Sequence, residues 1–206
     1  MANAEKVNFA LIKKWEGGLS KNPDDPAAKF PVPDGSGFHT NMGITWKTFA
    51  ANAKKLNYEA SPKNFKEMPP DIWLKIYKNG FWDSVKADLI NSQAIAEFMA
   101  DWAWGSGPTP AAKNLQQYLL SQGITLKPDG KMGPITIGFL NGLIHKKGER
   151  IVFEDLDRWR RNFLKELRPF NTFGFGWFRR MDDFREYAVG IIGDVSGDAT
   201  PGTVVG

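Results

Sequence analysis

The sequence predicts a mainly α-helical fold with one small β-hairpin after the first helix. Apolar residues recur at helical spacing through most of the 206 residues, and strand-like alternation is nearly absent. Clusters rich in Gly, Pro, Asn and Asp separate the periodic stretches. A chain of this length fills one domain, or one domain with a small appended subdomain. With 42% hydrophobic and 24% charged residues it has an ordinary globular composition, which excludes a fibrous or wholly disordered chain.

The first helix is expected to start from Asn3 as cap, to bury Val7, Leu11, Ile12 and Trp15, and to break at Gly17-Gly18. Glu16 therefore falls at a helix end. A loop rich in Pro, Asp and Gly follows over 17–43 and holds the expected hairpin, after which Thr45 caps a helix over 46–56. Pro69-Pro70 opens a helix through Ile72, Trp73, Ile76 and Tyr77, expected to close in a left-handed cap at Asn79-Gly80.

Ser92 begins a helix whose residues Ile95, Phe98, Met99 and Trp102 form a wide buried stripe, ending at Gly105-Ser106-Gly107-Pro108. Thr109-Pro110 starts another, with Leu115, Tyr118 and Leu119 inward. The turn elements Asp129-Gly130 and Gly133-Pro134 then lead into a short helix over 135–143. Val152, Leu156, Trp159 and Phe163 mark the longest late helix, halted near Pro169, and Met181, Phe184 and Tyr187 mark a final one. From Gly193 the residues are small and polar, as in a surface tail. The predicted organisation is a first segment over 1–95, a second over 96–190 packed into the same compact unit, and a tail over 191–206.

Composition narrows the chemistry. There is no cysteine, so neither a disulfide framework nor a thiolate metal site is available, and the isolated His39 and His145 make no zinc cluster. No metal and no cofactor is expected. The charge of +4 is modest, and its Lys and Arg pairs are spread along the chain as solvated helix faces; without a nucleic-acid motif, no nucleic acid is expected as a partner. No stretch reaches the ~20 apolar residues of a membrane span. Charge in the first residues interrupts the apolar run of a secretory leader, so the expectation is synthesis in the cytoplasm, with release by another route for any substrate outside it. A monomer is the expected state.

Hydrolysis of a glycosidic bond requires a carboxylic acid to protonate the departing oxygen, helped by a second carboxylate that activates water or attacks the sugar. A carboxyl group partly withdrawn from water at the end of an apolar helix holds its proton more readily. Glu16, after Trp15 and before two glycines that let a sugar approach the backbone, has that setting. The bland reading is an exposed glutamate before a helix cap.

The wider string decides between them. Trp15-Glu16-Gly17-Gly18-Leu19-Ser20-Lys21-Asn22-Pro23-Asp24-Asp25-Pro26, followed by Thr40-Asn41-Met42-Gly43-Ile44-Thr45, resembles the opening of glycoside hydrolase family 108, a set of lysozyme-like N-acetylmuramidases of phages and bacteria, some called secretion activators. The resemblance implies a lysozyme-like helical fold, peptidoglycan glycan strands as substrate, Glu16 as acid, Asp25 as the base that orients water, and Thr40 as a hydroxyl partner of that water. Asp24 is adjacent to Asp25, and aspartates before Pro26 also suit a turn that bonds its own backbone.

The chain departs from the family pattern between Pro26 and Thr40, where residues 27–39 are inserted, Asp34 among them. The insertion can reposition Asp25, add a lip to the cleft, or let Asp34 or His39 take the base's place; a plain loop histidine is the commoner role for His39. Asn41 and Trp46 are the expected sugar contacts near Thr40, with Trp46 as stacking platform.

A second block, Asp101-Trp102-Ala103-Trp104-Gly105-Ser106-Gly107-Pro108 with Ala112, Leu115 and Gln116, is similar to the family's next helix end, with Gly105 where many relatives have Asn. Asp101 is expected to line the cleft or to satisfy a buried donor. Asp129-Gly130-Lys131-Met132-Gly133-Pro134-Ile135-Thr136 resembles a signature of helical peptidoglycan-binding segments, and its turn residues read as architecture.

The expected activity is therefore inverting hydrolysis of the β-1,4 bond after N-acetylmuramic acid. A non-catalytic wall-binding or secretion-accessory protein, and a lytic transglycosylase or chitinase-like enzyme, are the competing readings.

Overall fold

The computed structural model describes residues 1–168 and 170–193. The chain forms two compact units, one over Ala4–Asp83 and one comprising Met1–Asn3 with the chain from Ser84. The expected tail from Gly193 lies almost wholly outside the described residues.

In the first unit, helix α1 spans Phe9–Trp15 and starts later than the sequence predicts. Asn8 is its cap, with its side chain accepting the Leu11 N–H at 3.0 Å, and Ala4–Lys6 form a separate 3-10 turn. Asn3, the expected cap, belongs to the other unit, where its backbone exchanges hydrogen bonds with the Gln93 side chain.

Three two-residue strands, β1 (Leu19–Ser20), β2 (Thr40–Asn41) and β3 (Ile44–Thr45), form an antiparallel sheet in that order. The expected hairpin is β2–β3. Its two turn residues, Met42 and Gly43, both have positive φ (46° and 73°), the conformation that matches a tight turn to the twist of its strands. The added strand β1 pairs Ser20 with Thr40 and Leu19 with Asn41, and so closes the whole loop between them.

Helix α2 (Trp46–Ala53) is capped by the Thr45 hydroxyl as expected and continues as a 3-10 turn to Leu56. Next come α3 (Pro62–Lys66) and α4 (Pro70–Tyr77). Asn79-Gly80 does not close α4: the chain runs on through a π turn, Lys78–Trp82, and Gly80 has no left-handed φ. The wider turn delivers Trp82 to a fully buried position, and that burial outweighs the local preference for a glycine stop.

The second unit holds α5 (Gln93–Ser106), α6 (Pro108–Ser121), α7 (Pro134–Lys147), α8 (Glu149–Lys165) and α9 (Phe170–Ile192). The Ser92 hydroxyl caps α5, whose residues 94–103 are all buried, making it the unit's central helix. Phe98 on α5 meets Phe153 of α8 and Phe184 of α9 edge-on at 5.4 and 5.7 Å. Among the described residues no helix is long and apolar enough to cross a membrane.

Candidate active site

Glu16 is the residue at which α1 ends. Its backbone turns extended (φ −94°, ψ 119°) while its N–H still donates to the Ile12 and Lys13 carbonyls, and its side chain is half-buried. Gly17 and Gly18 follow, and neither takes the left-handed conformation of a helix-capping glycine. A Cβ built on either meets nothing within 4 Å. These glycines serve neither the cap nor the packing; they leave open space beside Glu16.

That space is a cleft of about 530 Å³, bounded by Glu16 and both glycines, by Met42 of the hairpin turn, and by Lys66 and Glu67 at the end of α3. Asn41 holds its two sides together. Buried at 4% exposure, its amide donates to the Phe65 carbonyl at 2.7 Å and to the Lys66 carbonyl at 3.1 Å. The Met42 carbonyl in turn accepts the Trp73 indole N–H at 2.8 Å.

Asp25 and Thr40 come together around a third residue. Asp25 caps the 3-10 helix Pro26–Lys29, one carboxylate oxygen accepting the Ala27 N–H at 2.8 Å, so the turn role of this aspartate is real. Its other oxygen lies 4.0 Å from His39 Nδ1. The Thr40 hydroxyl is 2.9 Å from the same nitrogen, and His39 Nε2 donates to the Asn22 carbonyl at 3.0 Å. His39 is wholly buried.

The other candidates are placed as follows. Asp24 is exposed, with its N–H on the Asn22 side chain. Asp34 lies 2.6 Å from Lys66 Nζ and accepts from Ser36, and these bonds hold its carboxyl far below the usual range. Residues 27–39 are thereby tied to the Lys66 wall of the cleft. Trp46 is half-buried and packs edge-on against Phe65 at 5.5 Å.

Asp101 lies in the other unit, buried on α5. Arg160 donates to one carboxylate oxygen at 2.8 Å and Arg180 to the other at 2.6 Å. Burial pushes the Asp101 carboxyl up, but the Arg180 and Arg160 guanidiniums outweigh it and hold the group at about 2. Of the two roles open to Asp101, this is the satisfaction of buried donors.

Lys66 and Glu67 carry no sequence signal of their own, because they reach the cleft from a helix end some fifty residues after Glu16. The position of His39 immediately before Thr40 was the one local hint that its ring belongs with that hydroxyl.

A mainly helical chain in which a half-buried glutamate ends a helix beside an open, glycine-floored cleft has the architecture of a lysozyme-like glycoside hydrolase. The family comparison agrees: residues 9–107, which include all of these cleft residues, match the model of Glycosyl hydrolase 108. Among solved structures it is similar to SagA of Brucella abortus, with 26% identity and a TM-score of 0.66 over 92% of this chain and 95% of that one. No curated protein matches it.

Proposed function

We propose that the chain hydrolyses the β-1,4 bond between N-acetylmuramic acid and N-acetylglucosamine in peptidoglycan. The observation that carries this reading is Glu16 at the end of α1 beside a cleft that two glycines keep open, within the family segment. Glu16 protonates the departing sugar oxygen. Asp25 accepts a proton from the attacking water, Thr40 helps hold that water, and the anomeric centre is inverted. Asn41 and Trp46 contact the sugar, Trp46 as platform.

The C-terminal unit contributes wall binding in this reading. A groove of about 670 Å³ between α6 and α8 presents Trp159 and Phe163 beside the amides of Asn114, Gln117 and Asn162, a combination of stacking faces and paired donors and acceptors that suits a sugar. The protein acts on the wall or periplasm, as a monomer.

Purified protein should clear peptidoglycan suspensions and release reducing ends. Glu16→Gln should fold normally and lose about 10²–10⁴-fold in rate, the usual worth of a positioned acid. Full activity in that variant overturns the assignment. Binding to insoluble wall without soluble fragments would favour the accessory reading, anhydro-sugar ends a transglycosylase, and NMR of the first-formed anomer decides inversion.

A further inference from the structure

We propose that His39 is a positioning residue of this site: its buried ring accepts the Thr40 hydroxyl hydrogen at Nδ1 and so presents the Thr40 oxygen, like the Asp25 carboxylate, as an acceptor towards the attacking water. The inference rests on the hydrolase reading above. Its geometry begins with the Asn22 carbonyl, which can only accept, so the proton of the neutral ring is on Nε2. Nδ1 is then an acceptor, and the Thr40 hydroxyl, 2.9 Å away, is the donor.

That choice sets the polarity of the hydroxyl. A threonine donating to the water would take up one of its two oxygen lone pairs and leave one of its hydrogens without an acceptor here, drawing electron density away from the attacking oxygen. With its hydrogen committed to His39, Thr40 has only lone pairs to offer, and the carboxylate of Asp25, 4.0 Å from the same nitrogen, is likewise an acceptor. A water between them gives one hydrogen to each and keeps an oxygen lone pair for the sugar; as the new C–O bond forms, its proton passes to Asp25 and the leaving oxygen takes the proton of Glu16.

The ring is well fixed for this task. Its backbone N–H donates to Ser20 at 3.0 Å, its carbonyl accepts from Trp46 at 2.8 Å, and it is fully enclosed. The Asn22 carbonyl that receives Nε2 also accepts the Asp25 N–H at 3.1 Å. One imidazole thus joins the turn that carries Asp25 to the strand that carries Thr40.

The test is a double-mutant cycle of His39→Gln, Thr40→Val and the double variant, followed by kcat and KM on peptidoglycan fragments, with thermal melting to verify folding. Gln keeps a donor near the Nε2 position for Asn22 but offers nothing at Nδ1. Its kcat should fall on the order of 10²-fold, the scale of misplacing a reacting group, with KM changed little, and adding it to Thr40→Val should cost little more. His39→Asn, which restores an acceptor near Nδ1, should recover part of the loss. Losses that multiply in the double variant, or Gln matching wild type, overturn the proposal.

Nitrogen-15 NMR of the ring gives a readout independent of turnover. The expected state is Nε2–H with a hydrogen-bonded, bare Nδ1 whose shift moves in Thr40→Val, and an Nδ1–H ring overturns the proposal. An inactive wild type with the expected tautomer marks failure of the hydrolase reading, whereas an active wild type with the other tautomer marks failure of this one.

Discussion

Arg160 donates to Asp101 across 2.8 Å inside the C-terminal unit, with the two side chains only 6% and 4% exposed. Arg180 holds the other carboxylate oxygen, and the Arg160 guanidinium also lies over the rings of Phe98 and Trp102. Truncating the acid leaves a buried arginine without its counter-charge, which costs far more than the intact pair contributes. Asp101→Ala should therefore lose about 3–5 kcal/mol in urea unfolding. A loss below about 1 kcal/mol would show that the unit tolerates the bare guanidinium, against this account.

The same pair sets an acid limit. Because the folded-state pKa of Asp101 is depressed to about 2, its contribution is complete above the unfolded value of about 3.9 and is lost as pH falls through that interval towards the folded one. The melting-temperature advantage of wild type over Asp101→Asn should be constant at neutral pH and shrink below about pH 4. A pH-independent gap would mean that the pair does not titrate as described.

Gln116 explains why the Asp129-Gly130 block reads as architecture. Its amide nitrogen donates to Asp129, Lys131 and Thr136, and its oxygen accepts the Gly130 N–H at 2.8 Å, so one buried side chain binds α6 to the turn and to α7. Gln116→Leu should cost roughly 2–4 kcal/mol by leaving those groups unpaired. Gly130→Ala should also destabilise, since Gly130 has φ +74° and a Cβ would come within 2.7 Å of Thr109 Cγ2. Unchanged denaturation midpoints would contradict both.

The open space beside Gly17 makes a contrasting case. A valine there meets no atom of the protein within contact distance of its Cβ and demands no forbidden backbone, so Gly17→Val should melt within a few degrees of wild type. Its bulk falls in the cleft beside Glu16 and should raise KM several-fold. A large fall in melting temperature with normal KM would place the glycine in the folding machinery instead.

The helices were legible because their stripes, caps and proline starts agree: Thr45, Ser92 and Pro70 all stand where local chemistry puts them, and α6 starts at Pro108, just before the expected Thr109-Pro110. Asn79-Gly80 misled because the burial of Trp82 is a tertiary effect. Asn3 misled because Asn8 offers the same cap five residues later. In the site, Glu16 stood out through its neighbours, whereas Lys66, Glu67 and the His39 bridge depend on contacts between segments far apart in sequence, which periodicity does not report.

Residues 27–39 form an excursion within the first unit whose two ends are fastened together. Asp25 caps the outgoing turn, Val32 N–H donates to the Phe38 carbonyl, and His39 is fastened to Ser20 before β2 begins. With both ends pinned, extra residues at the exposed Gly37, past the bonds that join Asp34 to Lys66 and Ser36, add mainly closure entropy, about 0.6 kcal/mol for each doubling of length. The excursion is therefore a natural splice point, where a passenger module can be inserted while Glu16 and its cleft keep their shape.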